Sequence, residues 1–362
     1  MNLTVNLTDT KKSYTVYIDK FSNEEISEKI SEKISENISC EKILLIISKR
    51  VNELYGKNFE QILSGFQVLK YVVKDGEKYK TLKTYEKIIN FAQKNNLTRK
   101  DCIIAVGGGV IGDIAGFVAS TYMRGVDLIQ IPTTLLACVD SSVGGKTGVD
   151  TDFGKNLIGT FYQPKCVIIN IEFLKTLDNK QFLSGMGEVL KYAFIEKSCN
   201  PNSESNLFNM LLENSENILK KDVKFLQKIT EICVGLKIAV VERDEKESDL
   251  RRILNFGHTL GHALEKITNY KKYTHGEAII QGIYYAFNKA EKFALTTQSY
   301  KYSAFALLEK YGFKVQKLPD EKKLVKLMLM DKKFANSKIN FVFPTEYTQV
   351  TIKDVLPEDL IN

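Results

Sequence analysis

The sequence IIAVGGGVIGD, residues 103–113, joins an apolar run rich in β-branched residues to a glycine-rich turn and the start of a helix. Such a turn lets backbone N–H groups approach a phosphate, and the helix N-terminus adds partial positive charge. The match to a dinucleotide-binding fingerprint is weak when taken alone, and a tight turn without a ligand stays open as the alternative. The stretch therefore predicts a strand–turn–helix unit and raises an anion site as a hypothesis.

Five similar apolar runs flank this unit and alternate with segments of helical length, at residues 14–18, 42–48, 68–73, 127–131 and 166–171. Short apolar runs of this kind are typical of strands buried on both faces. Between the first two runs, an Ile-Ser-Glu-Lys repeat places Ile26, Ile30, Ile34 and Ile38 on one helical stripe. The alternation predicts βαβ units with a mostly parallel sheet.

The pattern changes after about Leu177. Long amphipathic stretches follow at 183–198, 206–242, 256–268 and 276–294, and a strand signal returns only at residues 339–343. With 362 residues the chain is long enough for two domains. We predict a Rossmann-like α/β domain over residues 1–177 and a mainly α-helical domain over residues 178–362.

Composition narrows the class of protein. The net charge is +7, but the lysines are scattered among glutamates without a dense basic block, which argues against nucleic acid and favours an acidic small molecule. No apolar run approaches the ~18 residues of a membrane span, and residues 1–14 lack a signal-peptide core. The six cysteines are far apart without a Cys-x-x-Cys pair, so we expect reduced core residues and a cytoplasmic protein.

Two further segments suit an anion. Thr133 and Thr134 follow a predicted strand, and the sequence DSSVGGKTG, residues 140–148, combines a glycine-rich turn with the ammonium of Lys146. Backbone N–H groups, hydroxyls and an ammonium together are suited to phosphate. The segment 75–80 (DGEKYK) also follows a strand, but taken alone it is an ordinary surface loop.

The histidines are clustered. All three, His258, His262 and His275, fall within 18 residues, and the first two are one helical turn apart, where a metal or an anion could bridge them. A structural histidine beside a helix-capping one is the alternative. Glu188 and Lys191 are spaced as a solvated ion pair, yet the apolar residues after them predict that Glu188 is partly buried and needs a partner such as a metal.

Six motifs occur in an order that closely resembles the 3-dehydroquinate synthase family, and together they are far more specific than any one of them. The resemblance as a whole runs from about residue 75, at the segment 75–80, to residue 344, at the end of the final strand. The motifs are VGGGVIGD (106–113), PTTLLA (132–137), the segment 140–147, EVLKY (188–192), LNFGHTLGHA (254–263) and HGEA (275–278).

The resemblance implies an NAD-binding α/β domain, a helical metal-binding domain, a homodimer and a step of the shikimate pathway. The substrate would be a phosphorylated keto acid, 3-deoxy-D-arabino-heptulosonate 7-phosphate. It also implies that Glu188, His258 and His275 bind a zinc or cobalt ion, so that His262 lies on the substrate side instead of sharing the metal with His258.

The motif matches imply two further sets of residues. Those expected near NAD are Asp75, Gly76, Glu77, Lys78, Tyr79, Lys80, Gly108, Gly109, Val110, Ile111, Gly112, Asp113, Thr133, Thr134, Lys146, Lys155, Phe173, Leu174, Lys175 and Thr176. Those expected to bind the substrate or assist the reaction are Lys146, Asn156, Lys191, Lys237, Arg251, Asn255, His262 and Asp140, with Arg124 reaching the site of the neighbouring subunit.

The chain departs from the family pattern at three positions. Gly187 stands where alanine is common, Asp249 where glycine is common, and Ser337 where glycine is usual in the final motif that begins at Asp331-Lys332-Lys333. None removes a reacting group. Three alternatives stay open: another sugar phosphate cyclase, a metal-dependent polyol dehydrogenase, and a cofactor-binding protein without catalytic activity.

Overall fold

The computed structural model describes residues 1–9, 12–22, 24–331 and 338–361, the side chains of 330 and 331 excepted. The chain divides into two compact units. The first comprises Met1–Leu177 with Leu226–Ile238, and the second comprises Asp178–Phe225 with Ala239–Asn362.

A seven-stranded sheet is the centre of the first unit, in the order β1-β2-β9-β6-β5-β3-β4. The edge strand β1 runs antiparallel to β2, and the other neighbouring pairs are parallel. The predicted parallel α/β architecture is thereby confirmed. The strands are β1 (Asn2–Val5), β2 (Tyr14–Asp19), β3 (Lys42–Ser48), β4 (Gln67–Val73), β5 (Cys102–Gly107), β6 (Asp127–Pro132) and β9 (Cys166–Asn170).

Helices cover this sheet with apolar faces. They are α1 (Ile26–Asn37), α2 (Lys49–Ile62), α3 (Leu82–Lys94) and α4 (Gly109–Thr121). The predicted isoleucine stripe is confirmed, because Ile26, Ile30, Ile34 and Ile38 are buried in one cluster with the strand residues. All six residues of β5 are buried, as expected for a central parallel strand.

The segment after β6 differs from the predicted glycine loop. Residues Ala137–Ser141 form a short π-helix, and β7 (Lys146–Thr151) pairs with β8 (Gly154–Phe161) as a separate antiparallel hairpin. Gly144 and Gly145 join the two with φ of 93° and 70°, which glycine adopts without strain. Lys146 therefore lies at the first position of a strand.

The second unit is mainly helical, as predicted. Its helices are α5 (Asn179–Cys199), α6 (Leu207–Glu213), α7 (Ser215–Leu219), α8 (Val223–Arg243, which gives residues 226–238 to the first unit), α9 (His258–Ile267), α10 (His275–Lys292), α11 (Gln298–Lys310) and α12 (Glu321–Asp331). One antiparallel pair, β10 (Ile339–Pro344) and β11 (Val350–Val355), belongs to the same unit.

The continuous helical stretch predicted over 206–242 is wrong, because it breaks into α6, α7 and α8. Lys221 has a left-handed φ of 59°, which interrupts a right-handed helix. Asp222 then caps α8 by accepting from the N–H groups of Lys224 and Phe225. Local capping chemistry thus outweighs the apolar periodicity.

Three other predictions concern the chain as a whole. All six cysteines are free, and five of them are buried while Cys40 is half-buried. Among the helices that the structure describes, none has both the length and the apolar character needed to cross a membrane. The final motif, Asp331 to Lys333 with Ser337, lies outside the residues whose side chains are described.

Candidate active site

Three helices of the second unit bring one carboxylate and two imidazoles together. Glu188 lies on α5, His258 is the first residue of α9 and His275 is the first residue of α10. The Oε1 atom of Glu188 lies 3.4 Å from Nε2 of His258 and 3.4 Å from Nε2 of His275. One donor atom from each of the three side chains lies within 4.8 Å of the others. The fold thus brings Glu188 and His275 together, although they are 87 residues apart in the sequence.

This donor set fits a divalent cation. Ligand atoms about 2.1 Å from a tetrahedral zinc ion lie about 3.4 Å from one another, and the two Glu188–histidine separations have this value. Two imidazole nitrogens and one carboxylate oxygen are ordinary ligands of zinc and cobalt, and three protein ligands leave a coordination position for a substrate oxygen.

Local backbone geometry fixes the two histidines. Gly257 precedes His258 with a left-handed φ of 80°, and a Cβ atom there would lie 2.7 Å from the carbonyl oxygen of Ile279. Thr274 precedes His275 and forms a capping box with Glu277, in which each side chain accepts from the other residue's N–H. Each histidine therefore starts its helix at a defined position.

The helices α5 and α10 approach closely beside this donor set. A Cβ atom at Gly276 would lie 2.0 Å from the carbonyl oxygen of Ser184, and one at Gly187 would lie 2.5 Å from the Cα of Gly276. Since backbone atoms cannot yield easily, only glycine fits at both positions in this packing. The departure at Gly187 thus permits a closer contact than alanine would allow.

Glu188 and Lys191 form a buried ion pair. The ammonium lies 2.5 Å from Oε2 of Glu188, and each side chain is only 1% exposed. The solvated-pair alternative is therefore wrong. The same ammonium lies 4.7 Å from the ring centre of Tyr192, which adds a cation–π contact. Two buried charges that neutralise each other in this way are typical of a functional site rather than a surface.

The two histidines of this donor set, His258 and His275, differ in protonation. Burial, together with the positive charge of Lys191, lowers the pKa of His258 to about 3, so that its imidazole is neutral. Burial opposes the charged form of His275 as well, but hydrogen bonds to Glu188 and Glu265 outweigh it and raise the pKa of His275 to about 10. Glu188 therefore contacts two different imidazoles. That of His258 is neutral, and that of His275 also contacts the carboxylate of Glu265.

His262 lies near these side chains but is not one of the three donors Glu188, His258 and His275. Its ring centre is 5.4 Å from that of His258 and 6.1 Å from that of His275. A second set of donors consists of His262, Glu265 and His275. Spacing alone favours His258 and His262 binding one metal ion together. Neither donor set in the described part of the chain contains both of these histidines.

Arg251 belongs to a short 3-10 helix, Leu250–Asn255, and its side chain is 1% exposed. It donates from its guanidinium to the carbonyl oxygen of Glu245 and from its backbone N–H to Asp244, at 2.9 Å. Asn255 of the same helix donates to Glu247 at 2.7 Å. The two predicted substrate binders are thus held by a loop that begins at Asp244.

Asp244 organises this loop. Its carboxylate accepts from the backbone N–H groups of Ser248, Asp249 and Arg251 at 2.8–2.9 Å. Burial opposes the charge, but these N–H groups outweigh it and lower the pKa of Asp244 from 3.8 to about 2. The charged carboxylate therefore stabilises the folded loop.

We expect Asp244→Asn to lower the free energy of unfolding at pH 7 by about 1–3 kcal/mol, because a charged acceptor of several N–H groups is lost. The pKa of Asp244 is lower in the folded chain than in the unfolded one, so its contribution is present above pH ~4 and is lost as the pH falls further. Urea unfolding at pH 7, 5 and 3.5 would measure this. Asp249→Asn, at an exposed position of the same loop, is the control, and equal stabilities at pH 7 would contradict the role.

The first unit contains a second polar cluster around Lys80, which is 3% exposed. Its ammonium donates to Asp113 and, at 2.5 Å, to Oδ1 of Asn156. Burial opposes the charge of Lys80, but Asp113 and Glu77 outweigh it and raise its pKa. The segment 75–80 is therefore not an ordinary surface loop, because its last residue joins α4 to the β7–β8 hairpin.

The glycine turn itself has the predicted form. Gly108 precedes α4 in an extended conformation, and the N–H of Thr133 donates to the carbonyl oxygen of Gly107 at 2.9 Å. A Cβ atom at Gly108 would lie 3.0 Å from the side chain of Thr134. The hydroxyl of Thr133 is buried without a hydrogen-bond partner, and a buried hydroxyl beside a helix N-terminus fits a polar ligand such as a dinucleotide.

The remaining predicted residues occupy varied positions in the first unit. Lys155 pairs with Glu77 at 3.4 Å, and Lys237 donates to the carbonyl oxygen of Asp140 at 2.5 Å and lies 3.1 Å from its carboxylate.

The other predicted residues of this unit differ in exposure and in partner. Phe173 and Leu174 are buried, while Arg124 and Lys146 are exposed. Thr176 bonds to Tyr55 at 2.9 Å, Lys175 pairs with Glu172 at 2.7 Å, and Asp75 accepts from the N–H of Arg50 at 3.0 Å.

The sequence-based interpretation missed two acidic residues of the second unit. Glu265 is 3% exposed and lies 3.4 Å from Nδ1 of His275, and Asp244 holds the Arg251 loop. The spacing His262-x-x-Glu265 on an amphipathic helix was a usable signal, since residues three apart share a helix face. Nothing local marked Asp244, because its partners follow it in an irregular loop.

The chain is similar in sequence to one family of known proteins. The model for the N-terminal part of 3-dehydroquinate synthase matches residues 70–184, and the model for its C-terminal part matches residues 185–334. The 3-dehydroquinate synthase of Alkaliphilus metalliredigens is 43% identical over 324 residues, 88% of each chain. That of Clostridium acetobutylicum is 40% identical over 337 residues, 92% of this chain and 90% of its own.

Solved structures agree with this assignment. A 2-deoxy-scyllo-inosose synthase complexed with carbaglucose-6-phosphate, NAD⁺ and Co²⁺ has a TM-score of 0.84 and 25% identity, covering 99% of this chain and 98% of its own. A 2-epi-5-epi-valiolone synthase from Streptomyces hygroscopicus with NAD⁺ and Zn²⁺ bound has the same fold, with a TM-score of 0.84 and 22% identity over 96% of this chain and 94% of its own. Sequence and fold lead to one conclusion: the chain belongs to the 3-dehydroquinate synthase family.

Proposed function

We propose that this protein is a 3-dehydroquinate synthase of the shikimate pathway. It converts 3-deoxy-D-arabino-heptulosonate 7-phosphate to 3-dehydroquinate and phosphate by transient oxidation, phosphate elimination, reduction and intramolecular aldol closure. The observation that carries this proposal is the identity of 40–43% with named 3-dehydroquinate synthases over 88–92% of the chain. The convergence of Glu188, His258 and His275 supports it independently.

The proposal assigns NAD to residues 1–177 and a zinc or cobalt ion to residues 178–362. The donor set around Glu188 supports the metal ion. The related inosose synthase, whose structure contains NAD⁺ and Co²⁺, supports both groups. When bound, NAD⁺ supplies a hydride acceptor that is regenerated in each turnover, and the cation supplies a Lewis acid that lowers the pKa of a substrate hydroxyl. The protein must then hold the substrate in one orientation through several steps.

Residues of the first unit are proposed to hold the phosphate end of the substrate. Lys146 is an exposed residue at the start of β7, and its ammonium is assigned to the phosphate. Lys80 donates to Oδ1 of Asn156, so the amide nitrogen of Asn156 is the end of that side chain left to donate to a phosphate oxygen. Lys80, itself held by Asp113, thereby orients the side chain of Asn156 for binding to the phosphate. Because the departing phosphate can itself accept a proton, elimination needs no dedicated protein base.

Residues of the second unit are proposed to hold the ring. Arg251 has the planar guanidinium that suits a carboxylate, and Asn255 and Lys191 provide donors for ring hydroxyls. His262, which lies beside the metal ligands and outside their set, is a candidate for proton transfer at the substrate. Lys237, held by Asp140 in the first unit, is assigned a further contact with the substrate's anionic groups.

An assay of phosphate release tests the function. The purified protein, with the keto acid phosphate, zinc or cobalt and NAD⁺ well below the substrate concentration, is expected to release phosphate over many turnovers without net NADH. Absorbance at the NADH wavelength and a phosphate assay are followed together. Stoichiometric NADH would indicate a polyol dehydrogenase, and turnover of glucose 6-phosphate alone would indicate another sugar phosphate cyclase. No turnover with any of these substrates would contradict an enzymatic role.

We also propose a homodimer in the cytoplasm, in which Arg124 reaches the partner's substrate. The hairpin formed by β7 and β8 supports the dimer, since Leu157 and Phe161 are 48% and 41% exposed on one strand. We assign the exposed apolar surface of these two side chains to the interface between the two chains. The free cysteines support a reducing compartment.

We expect Leu157→Ser combined with Phe161→Ser to convert the dimer to a single chain, because the change removes apolar area from the proposed interface. Light scattering during size-exclusion chromatography measures the mass. The control is Leu54→Ser with Leu82→Ser, which alters two exposed apolar residues elsewhere in the same unit. A hairpin variant that keeps the mass of two chains would refute this interface.

A further inference from the structure

Glu265 lies behind one of the proposed metal ligands. It belongs to α9, its side chain is 3% exposed, and its Oε2 atom lies 3.4 Å from Nδ1 of His275 on α10. The other ring nitrogen of His275 lies 3.4 Å from Oε1 of Glu188. One imidazole thus spans two buried carboxylates, one at each nitrogen.

His258 has a comparable arrangement with a neutral acceptor. Its Nδ1 atom lies 3.2 Å from the carbonyl oxygen of Phe256, while its Nε2 atom faces Glu188. An imidazole that binds a cation through Nε2 carries its proton on Nδ1, so an acceptor at Nδ1 selects the tautomer and fixes the plane of the ring. A carboxylate acceptor also makes the opposite nitrogen a stronger electron donor.

We propose that Glu265 is a positioning residue, which holds His275 with Nε2 directed toward Glu188 and His258 and so sets the affinity for the divalent cation. The inference rests on the proposed function for the existence of that cation. It assigns to Glu265 a task that the motif matches do not give it, and it explains why a carboxylate is buried beside a histidine on the neighbouring helix.

A competing assignment would make Glu265 a ligand, because His262, Glu265 and His275 also form a set of donors. The orientation of His275 favours the positioning role. Its Nε2 faces Glu188 and Nδ1 faces Glu265, and a single ion cannot be bound by both nitrogens of one ring. If the cation lies with Glu188 and His258, Glu265 remains on the far side of the imidazole.

Calorimetric titration of the metal-free protein with Zn²⁺ tests the proposal without any assay of turnover. We expect Glu265→Ala to weaken binding about 10- to 100-fold, as removal of a carboxylate behind a ligating histidine does. Glu265→Gln keeps an oxygen that can accept from Nδ1 and should restore most of this loss. Glu291→Gln, which removes a carboxylate near the other end of α10, is the matched control and should leave affinity unchanged.

Nitrogen-15 spectra of the zinc-loaded protein give a second readout, and the three histidines of the chain keep them simple. The Nδ1–H proton of His275, assigned by its nuclear Overhauser contacts with the ring and backbone protons of His275, should exchange slowly in the wild type and fast in Glu265→Ala. If Ala at 265 prevents folding, Glu265→Gln must still shift this signal.

Two results would overturn the positioning role: unchanged zinc affinity in Glu265→Ala, or a loss as complete as that of His275→Ala, which would make Glu265 a ligand. Failure of the wild type to bind zinc at all would instead reject the metal site of the proposed function.

Discussion

Replacing His275 with alanine is expected to abolish retention of the divalent cation and to lower the rate of phosphate release by about a thousandfold or more. The change removes one of the three proposed ligands and leaves the buried Glu188–Lys191 pair with only one of its two imidazole neighbours, that of His258. A Lewis acid contributes several kcal/mol to charge stabilisation, which corresponds to a rate factor of this size. Elemental analysis after dialysis and initial rates of phosphate release measure the two effects.

His262→Ala is the matched control for this experiment. It removes an imidazole from the same cluster, at 5.4 Å from the ring of His258, but outside the set formed by Glu188, His258 and His275. We expect this variant to keep about one metal ion per chain even if turnover falls. A His275→Ala protein that also keeps one ion per chain would count against the triad.

Lys146→Ala is expected to lower kcat/KM by about 10²–10⁴ while the unfolding temperature stays the same. The ammonium of this exposed residue is assigned to the phosphate, and removal of one preorganised charged donor typically has an effect of this order. Because Lys146 begins β7 with its side chain exposed, truncation leaves no cavity. Steady-state kinetics and thermal unfolding measure the two quantities.

Lys165→Ala provides a control of equal charge. Lys165 is exposed in the same unit and pairs with Asp127 at 3.4 Å, so its removal changes the net charge by the same amount. Normal kinetics in this variant with impaired kinetics in Lys146→Ala would assign the effect to position. Near wild-type kinetics in Lys146→Ala would refute its contact with the phosphate.

Much of the first unit could be predicted from the sequence because its signals are local. A buried parallel strand is apolar along its whole length, and residues 102–107 have this pattern. The stripe of Ile26, Ile30 and Ile34 specifies one helix face without any knowledge of the sheet. The clustering of all three histidines within 18 residues indicated a site for the same reason.

What could not be predicted depends on contacts distant in sequence. The β7–β8 hairpin has few alternating apolar residues, so a glycine-rich loop was the simpler interpretation. The buried ammonium of Lys80 donates to Asp113 and Asn156, which lie 33 and 76 residues further along the chain. The approach of Gly276 to Ser184 has no local signal at all, yet it brings α10 and its histidine beside α5.

The choice among the histidines shows the same limit. Spacing alone favours His258 with His262, since residues four apart share a helix face. In the folded unit, Glu188 instead lies 3.4 Å from both His258 and His275, because α10 begins beside α5. The helix arrangement, which spacing does not encode, selects the pair that can share one cation.

The most direct test of the account is the position of the cation in crystals grown with zinc or cobalt, located by anomalous scattering at the absorption edge of the metal. We predict one peak at about 2.0–2.2 Å from a carboxylate oxygen of Glu188 and from Nε2 of His258 and of His275. A peak among His262, Glu265 and His275, or no peak at full metal loading in solution, would contradict the account.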